Sequence, residues 1–258
     1  MSRRGVTIRE IRQIETLAAD AFVCRESVRD DGWRLRFNDG VTRRGNSVLA
    51  EGPGCDPLDA KLARVEAFYR DRGVPARFQV SEASQPATLA ELLAARGYSH
   101  EVGAVLQTAR LRDVVAAAGR SDGFVIRHER RASTAWLDGL QEGSGSDPRT
   151  ATVRAATLGA VPEPATFVRA ELQGRIVAVG LAVAAGPWLG AFNMATLPAA
   201  RRRGAARAVL ATIACWGLER GVRDAYLQVH PGNAAAVALY ASLGFATHHA
   251  YEYWTAPA

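Results

Sequence analysis

The chain has 258 residues, 48% of them hydrophobic, and a formal net charge of +6. That length allows one large domain or two small ones, with enough apolar residues for a packed core throughout. No apolar run reaches the roughly 20 residues a bilayer span needs, and none follows Met1-Ser2-Arg3-Arg4, so neither a membrane protein nor a secretory leader is expected and the expected location is the cytoplasm.

The three cysteines, Cys24, Cys55 and Cys215, lie far apart and form no C-x-x-C pair. They argue against a disulfide framework and against a zinc site, and no metal is expected. Cys215 sits in an apolar helical run and reads as a small core residue. The positive charge is almost all arginine, Lys61 being the only lysine. It is spread along the chain apart from Arg201-Arg202-Arg203, so nucleic acid is not an expected partner.

In chain order, Trp33 to Ala50 reads as a strand pair with a turn around Arg43-Arg44-Gly45-Asn46-Ser47. Leu58 to Arg70 has a helical pattern, closed by Gly73. A short strand ending at Gln79-Val80 follows, then a helix from Leu89 that ends at Gly97-Tyr98, then a strand over Val102 to Gln107. Val114 to Ala118 is a linker or a short helix, and a domain boundary is expected between Arg110 and Gly123. Phe124-Val125-Ile126 opens a strand. Ser144 to Pro148 is a loop, Val161 to Pro164 a turn, and Gln173-Gly174 the turn of a hairpin. Trp188 to Thr196 is a further apolar strand. A helical pattern over Ala205 to Leu218 is closed by Gly221. It leads to a strand ending at Gln228-Val229, a helix from Ala234 to Gly244-Phe245, and a strand over Tyr251 to Trp254. The order helix, glycine turn, strand, helix, Gly-aromatic, strand thus occurs twice, offset by about 148 residues. Glycine suits each helix end because it takes positive φ without strain.

The most informative segment runs from Met194 to Ala206. A strand ends at Thr196, Pro198 opens a turn, and a helix begins near Gly204. Free N–H groups at a helix start, with the positive end of the helix dipole, make an anion site. Gly204 lets a phosphate approach the backbone, Ala205 and Ala206 keep the next positions small, and Arg201, Arg202 and Arg203 add charge.

This segment, Arg201-x-x-Gly204-x-Ala206, resembles the first signature of the GNAT superfamily of acetyltransferases. About 30 residues on, Asn233, Ala236, Leu239-Tyr240 and Gly244-Phe245 resemble its second signature, N-x-x-A-x-x-L-Y-x-x-x-G-F. The resemblance covers residues 123–258. It implies an α/β fold with a mixed sheet. Joined to the repeat, it suggests two GNAT-like domains in tandem, a degenerate one over 1–115 and a complete, catalytic one over 120–258.

The resemblance also implies the chemistry. Acetyl-CoA would be the co-substrate, its pyrophosphate on Arg201 to Ala206 and its pantetheine arm on the backbone of Met194, Ala195 and Thr196. Tyr240 would give a proton to the leaving thiolate, a phenol being protonated at neutral pH. Asn233 caps a helix and is a further cofactor contact. Some members carry a glutamate base where this chain has Gln228, which cannot accept a proton. His230, two residues on, is then the candidate base, with Glu142, Asp147 and Glu252 weaker candidates and proton loss to solvent a further route. The first half has Gly52 to Pro57 opposite the basic loop, and about Pro86 and Leu93 opposite Asn233 and Tyr240, so it is expected to bind no acetyl-CoA. The expected acceptor is a primary amine of a small molecule. A protein lysine or N-terminus, and a non-catalytic acyl-CoA-binding module, are the alternatives. Acceptor specificity is expected in loops over Ala132 to Ala160, and the protein is expected to be a monomer or homodimer.

Overall fold

A computed structural model describes residues 5–119 and 123–257. Met1 to Arg4 and part of the expected linker lie outside them. The elements in chain order are α1 (Ile8–Ala21), β1 (Glu26–Asp30), β2 (Trp33–Phe37), β3 (Val48–Leu49), α2 (Leu58–Arg70), β4 (Arg77–Val80), α3 (Leu89–Ala95) and β5 (Ser99–Arg110). They continue with α4 (Leu111–Ala118), β6 (Val125–Glu129), α5 (Thr134–Ser144), α6 (Pro148–Gly159), β7 (Ala165–Leu172), β8 (Arg175–Ala185) and β9 (Trp188–Thr196). A single 3-10 turn (Pro198–Ala200), α7 (Ala205–Glu219), β10 (Asp224–Val229), α8 (Ala234–Ser242) and β11 (Ala246–Thr255) complete the chain.

Two compact units form, Met1–Val105 with His249–Ala258, and Leu106–His248. The division differs from the boundary expected between Arg110 and Gly123. It runs through β5, and the last ten residues join the first unit because β11 pairs antiparallel with β4 there, Tyr253 opposite Gln79. In the first unit the strand order is β1-β2-β3-β4-β11-β5, and β3 runs parallel to β4. Its core gathers Trp33, Leu35, Val48, Leu62, Val65, Phe78, Leu89 and Leu93. Helix α1 starts with a capping box in which Thr7 and Glu10 satisfy each other's backbone N–H.

In the second unit the order is β5-β10-β9-β8-β7-β6, with β9 parallel to β10 and the neighbours from β6 to β9 antiparallel. Val209, Leu210, Ile213 and Ala214 of α7 lie in one buried cluster with Val168, Ala170, Ala178 and Ala182 of β7 and β8. Each large aliphatic side chain so buried contributes about 1.5–3 kcal/mol. Trp136 of α5 meets Phe167 of β7 edge-on at 5.1 Å.

The two similar segments fold alike within their own units. After α2, Gly73 N–H donates to Arg70 O (2.9 Å) and Val74 N–H to Tyr69 O (3.2 Å). After α7, Gly221 N–H donates to Leu218 O and Val222 N–H to Gly217 O, both 3.0 Å. The same pair of bonds closes α3 at Gly97-Tyr98 and α8 at Gly244-Phe245, and all four glycines have positive φ.

Two readings change. Ala132 to Ala160 is mostly helix: Ser133 caps α5 and Asp147 caps α6, with Pro148 in its first turn and only a short connection between. Cys215 is exposed, as is Cys55, while Cys24 is half-buried, because Cys215 falls on the side of α7 away from the sheet. The expected strand pair over Trp33 to Ala50 stands, β2 antiparallel to β3 with Arg43 to Ser47 in the ten-residue connection between them.

A chain ending at His248 lacks the strand that pairs with β4. Tyr251 and Tyr253 are buried there, at 3% and 5% exposure. Deleting two buried aromatics costs about 3–5 kcal/mol each, against a whole-domain stability of about 5–15 kcal/mol. Hydrogen exchange on the truncated chain is expected to find Arg77–Val80 unprotected and Trp188–Thr196 still protected. Retained protection of β4 would contradict this division of the chain.

Candidate active site

The site is built on a fork between two parallel strands. β10 pairs with β9 from Asp224 opposite Trp188 to Leu227 opposite Ala191, and there the pairing stops. Beyond that point β9 stays bonded only to β8. From Leu181 to Val179, β8 advances two residues while β9 advances three, from Phe192 to Ala195. The extra residue is a bulge, and Asn193 takes the left-handed conformation with φ 50°. A bulge bends its strand and disrupts the ladder, which accounts for β9 leaving β10. The edge of β9 over Met194, Ala195 and Thr196 is then free to bond an extended ligand. Met194 faces α7: a Cβ on Gly180 would lie 2.5 Å from its sulfur and 2.7 Å from Val209.

The strand runs into the anion loop. After the 3-10 turn, Arg201 Nε donates to Thr196 O at 3.4 Å, Arg202 has φ 63° and Gly204, at φ 90°, is the N-cap of α7. No side chain caps this helix. The N–H groups of Ala205, Ala206 and Arg207 therefore lack the intrahelical partners that later residues have. A Cβ on Gly204 would meet nothing within 4 Å, so the space in front of it is open. Arg201, Arg202 and Arg203 are exposed around it, Ala205 is buried and Ala206 half-buried.

Tyr240, on α8, is 7% exposed. Burial pushes its phenol up to about 12, so it is fully protonated at neutral pH. Its hydroxyl has no hydrogen-bond partner among the described residues. Asn233 caps α8 by accepting from Ala236 N–H at 3.2 Å, leaving its amide NH2 free.

Gln228 is the first residue past the last β9–β10 pair. Its Oε1 is buried with no hydrogen-bond partner among the described residues, an acceptor open to a ligand N–H. His230 lies beyond the end of β10, exposed, with Nδ1 accepting from Gly232 N–H at 3.0 Å. A neutral imidazole that accepts at Nδ1 carries its proton on Nε2. In that arrangement the outward nitrogen is the N–H donor. The weaker base candidates are occupied elsewhere: Glu142 pairs with Arg175 at 2.6 Å, Asp147 caps α6, and Glu252 is exposed on β11 in the first unit.

One residue that sequence reasoning missed is Gly143. On α5, its Cβ would lie 3.0 Å from Ala195 Cβ and 3.2 Å from Thr196 N. The helix therefore rests directly on the end of β9. A glycine inside a helix was the available signal, since its cost is usually repaid by a close approach. A cavity of about 510 Å³ lined by His128, Thr166, Trp216 and Arg220 sits at the far end of α7, roughly 20 Å along a helix of this length from the loop, and shares no residue with the fork. Among the described residues, no cluster of three or more His, Cys, Asp or Glu could hold a metal, and no helix is long and apolar enough to cross a membrane.

The chain matches, over residues 8–254, a family model described as the C-terminal part of the probable histone acetyltransferase Rv0428c. It is 29% identical over 247 residues to an uncharacterized N-acetyltransferase, YobR, of Bacillus subtilis, covering 95% of this chain and 98% of that one. Among solved structures it is similar to a GCN5-related N-acetyltransferase from Kribbella flavida, with TM-score 0.71 and 19% identity over 99% of this chain and 97% of that one. A tandem GNAT protein from the clavulanic acid biosynthesis pathway gives TM-score 0.68 and 16% identity over 100% and 91%. At these identities the two structures establish the fold.

Gly143→Val should push α5 off the end of β9. Acetyl-CoA affinity is expected to fall about tenfold or more, equivalent to about 1.4 kcal/mol. Gly159→Val is the control, because nothing lies within 4 Å of a Cβ at that position. Equal calorimetric affinities for the two variants would contradict the contact's importance.

Proposed function

The chain belongs to the GNAT family of N-acetyltransferases, and from that premise we propose that its second unit transfers an acetyl group from acetyl-CoA to a primary amine of a small molecule, by direct attack with both substrates bound. The observation that carries the proposal is the fork between β9 and β10, opening beside the uncapped start of α7.

The residues present fit the co-substrate. The free edge of Met194, Ala195 and Thr196 suits a pantetheine arm bonded like an added strand. The N–H groups of Gly204, Ala205 and Ala206, with Arg201, Arg202 and Arg203, suit a pyrophosphate. The free amide NH2 of Asn233 offers one more donor. Acetyl-CoA supplies the acyl group as a thioester, and its transfer leaves a thiolate in need of a proton.

Tyr240 holds that proton. Its raised phenol keeps it in the donating form across the neutral range. Gln228 Oε1 can accept a hydrogen bond from a ligand nitrogen and orient it without removing a proton. With the Nδ1 lone pair of His230 already engaged by Gly232, the amine's proton passes to water, and the amine reacts in its neutral form.

The description of the matching family favours a second reading, a basic protein as acceptor. This chain carries a net charge of +6, which repels a strongly basic partner rather than steering it in. A panel of small amines tested beside a histone-tail peptide separates the two readings, and faster acetylation of the peptide would favour the second.

Tyr240→Phe is expected to keep acetyl-CoA affinity and to lose turnover about 10²–10⁴-fold, the usual worth of a positioned acid. Full activity in this variant would remove Tyr240 from the mechanism. If the wild-type chain binds acetyl-CoA but acetylates no amine, it is a binding module.

The pH profile is a separate test. Activity is expected to climb as the acceptor amine deprotonates and to show no fall near pH 10, the ordinary phenol range, because Tyr240 titrates at about 12. His230→Ala is expected to leave this profile in place. Loss of the acidic limb in that variant would restore His230 as the base.

A further inference from the structure

The first unit contains a loop at the place in its element order that the anion loop takes in the second. The matched bonds at Gly73-Val74 and Gly221-Val222 fix the register at 148 residues. Counting back by that offset sets Gly54 on Arg202, Cys55 on Arg203 and Asp56 on Gly204. Gly54 has φ 70° and Arg202 φ 63°, so both loops place a left-handed residue there, although only the second has another at Gly204. Each loop also follows a strand that runs parallel to the strand after the helix.

What differs is the occupant. In the first unit the Asp31 carboxylate accepts from Cys55 N–H, at 2.8 Å to Oδ1, and from Asp56 N–H, at 3.0 Å to Oδ2. Lys61 Nζ lies 3.2 Å from the same Oδ2 and also donates to Asp31 O at 2.7 Å and Pro53 O at 3.0 Å. The lysine is 1% exposed, and its ammonium sits 4.2 Å from the centre of the Trp33 ring. A Cβ on Gly54 would overlap Asp31, so loop and carboxylate are in contact. The backbone N–H groups of Asp56 and Cys55 hold the Asp31 carboxyl below its usual range. Asp31 reaches this place from the β1–β2 turn, where Asp31 and Gly32 have φ 43° and 84°. The β7–β8 turn of the second unit is built the same way, with φ 52° and 77°, but carries Gln173-Gly174 and so brings no carboxylate.

We propose that the first unit keeps an anion-binding loop whose phosphate position is filled by its own Asp31 carboxylate, clamped by the chain's only lysine, so that the protein takes one acyl-CoA per chain. The count of one rests on the reading of the α7 loop given above; the filling of the first loop does not. The exchange is simple in charge: a carboxylate takes the N–H of Asp56, opposite Gly204, and that of Cys55, opposite Arg203, and the lysine supplies the cation that the arginines supply in the second unit.

The test uses the full-length chain with Arg201→Glu, Arg202→Glu and Arg203→Glu, which remove the second loop's three cations at exposed positions, and inorganic pyrophosphate as the probe. This parent is expected to show no saturable rise in unfolding temperature. Adding Asp31→Ala is expected to lower that temperature by about 5 °C or more and to create a saturable recovery with pyrophosphate, because Lys61 and the two N–H groups then lack an anion. Asp31→Asn keeps the shape without the charge and serves if the alanine variant does not fold; it is expected to show the same recovery, smaller in size. A pyrophosphate response in the parent that Lys61→Met abolishes would overturn the proposal, because the loop would then be open with Asp31 present. No response in either Asp31 variant would also overturn it. Neither result bears on whether the unaltered second unit transfers acetyl groups.

Discussion

One backbone irregularity governs the second unit: the extra residue in β9 at Asn193. A parallel pair that continued past Ala191 and Leu227 would satisfy its own N–H and C=O groups and leave nothing for a ligand. By bending β9 away, the bulge turns the end of a core strand into an open edge. The elements around it hold that bend. α7 packs Val209 and Ile213 against Gly180 and Met194 on one face, and α5 lays Gly143 on Ala195 and Thr196 from the other. The strand end, the arginine loop and the start of α7 follow in sequence, so one displacement sets the position of all three.

The two units treat the segment ahead of a corresponding helix differently. Neither α2 nor α7 has a side-chain cap. In the first unit the N–H groups of Cys55 and Asp56 just ahead of α2 meet the Asp31 carboxylate, and a buried ammonium accompanies it. In the second unit three exposed guanidiniums stand at the corresponding place.

Much of this was legible locally. Helices α2 and α7, strand β9 from Trp188 to Thr196 and the Gln173-Gly174 hairpin stand where periodicity and glycine position put them, because each is fixed by neighbours within a few residues. The Asn233 cap is equally local. Thr7-x-x-Glu10 and Asp147-Pro148 were also present as helix starts, for α1 and α6, and were readable by the same rules. Other features depend on distant partners and leave no local trace. The pairing of β11 with β4 joins residues about 175 apart in the chain, so no composition shift near residue 115 could announce it. The tautomer of His230 is set by one N–H two residues away whose direction only the folded turn decides. The left-handed Asn193 and the carboxylate of Asp31 at Cys55 and Asp56 are likewise tertiary facts.

The measurement that tests the central claim most directly is calorimetric titration of the full chain with acetyl-CoA, repeated on Arg201→Glu with Gly204→Glu. One site per chain, abolished in the double variant, is the expected result. Binding that survives those changes, or no binding in the unaltered chain, would contradict the assignment of the fork and the α7 loop as the acyl-CoA site.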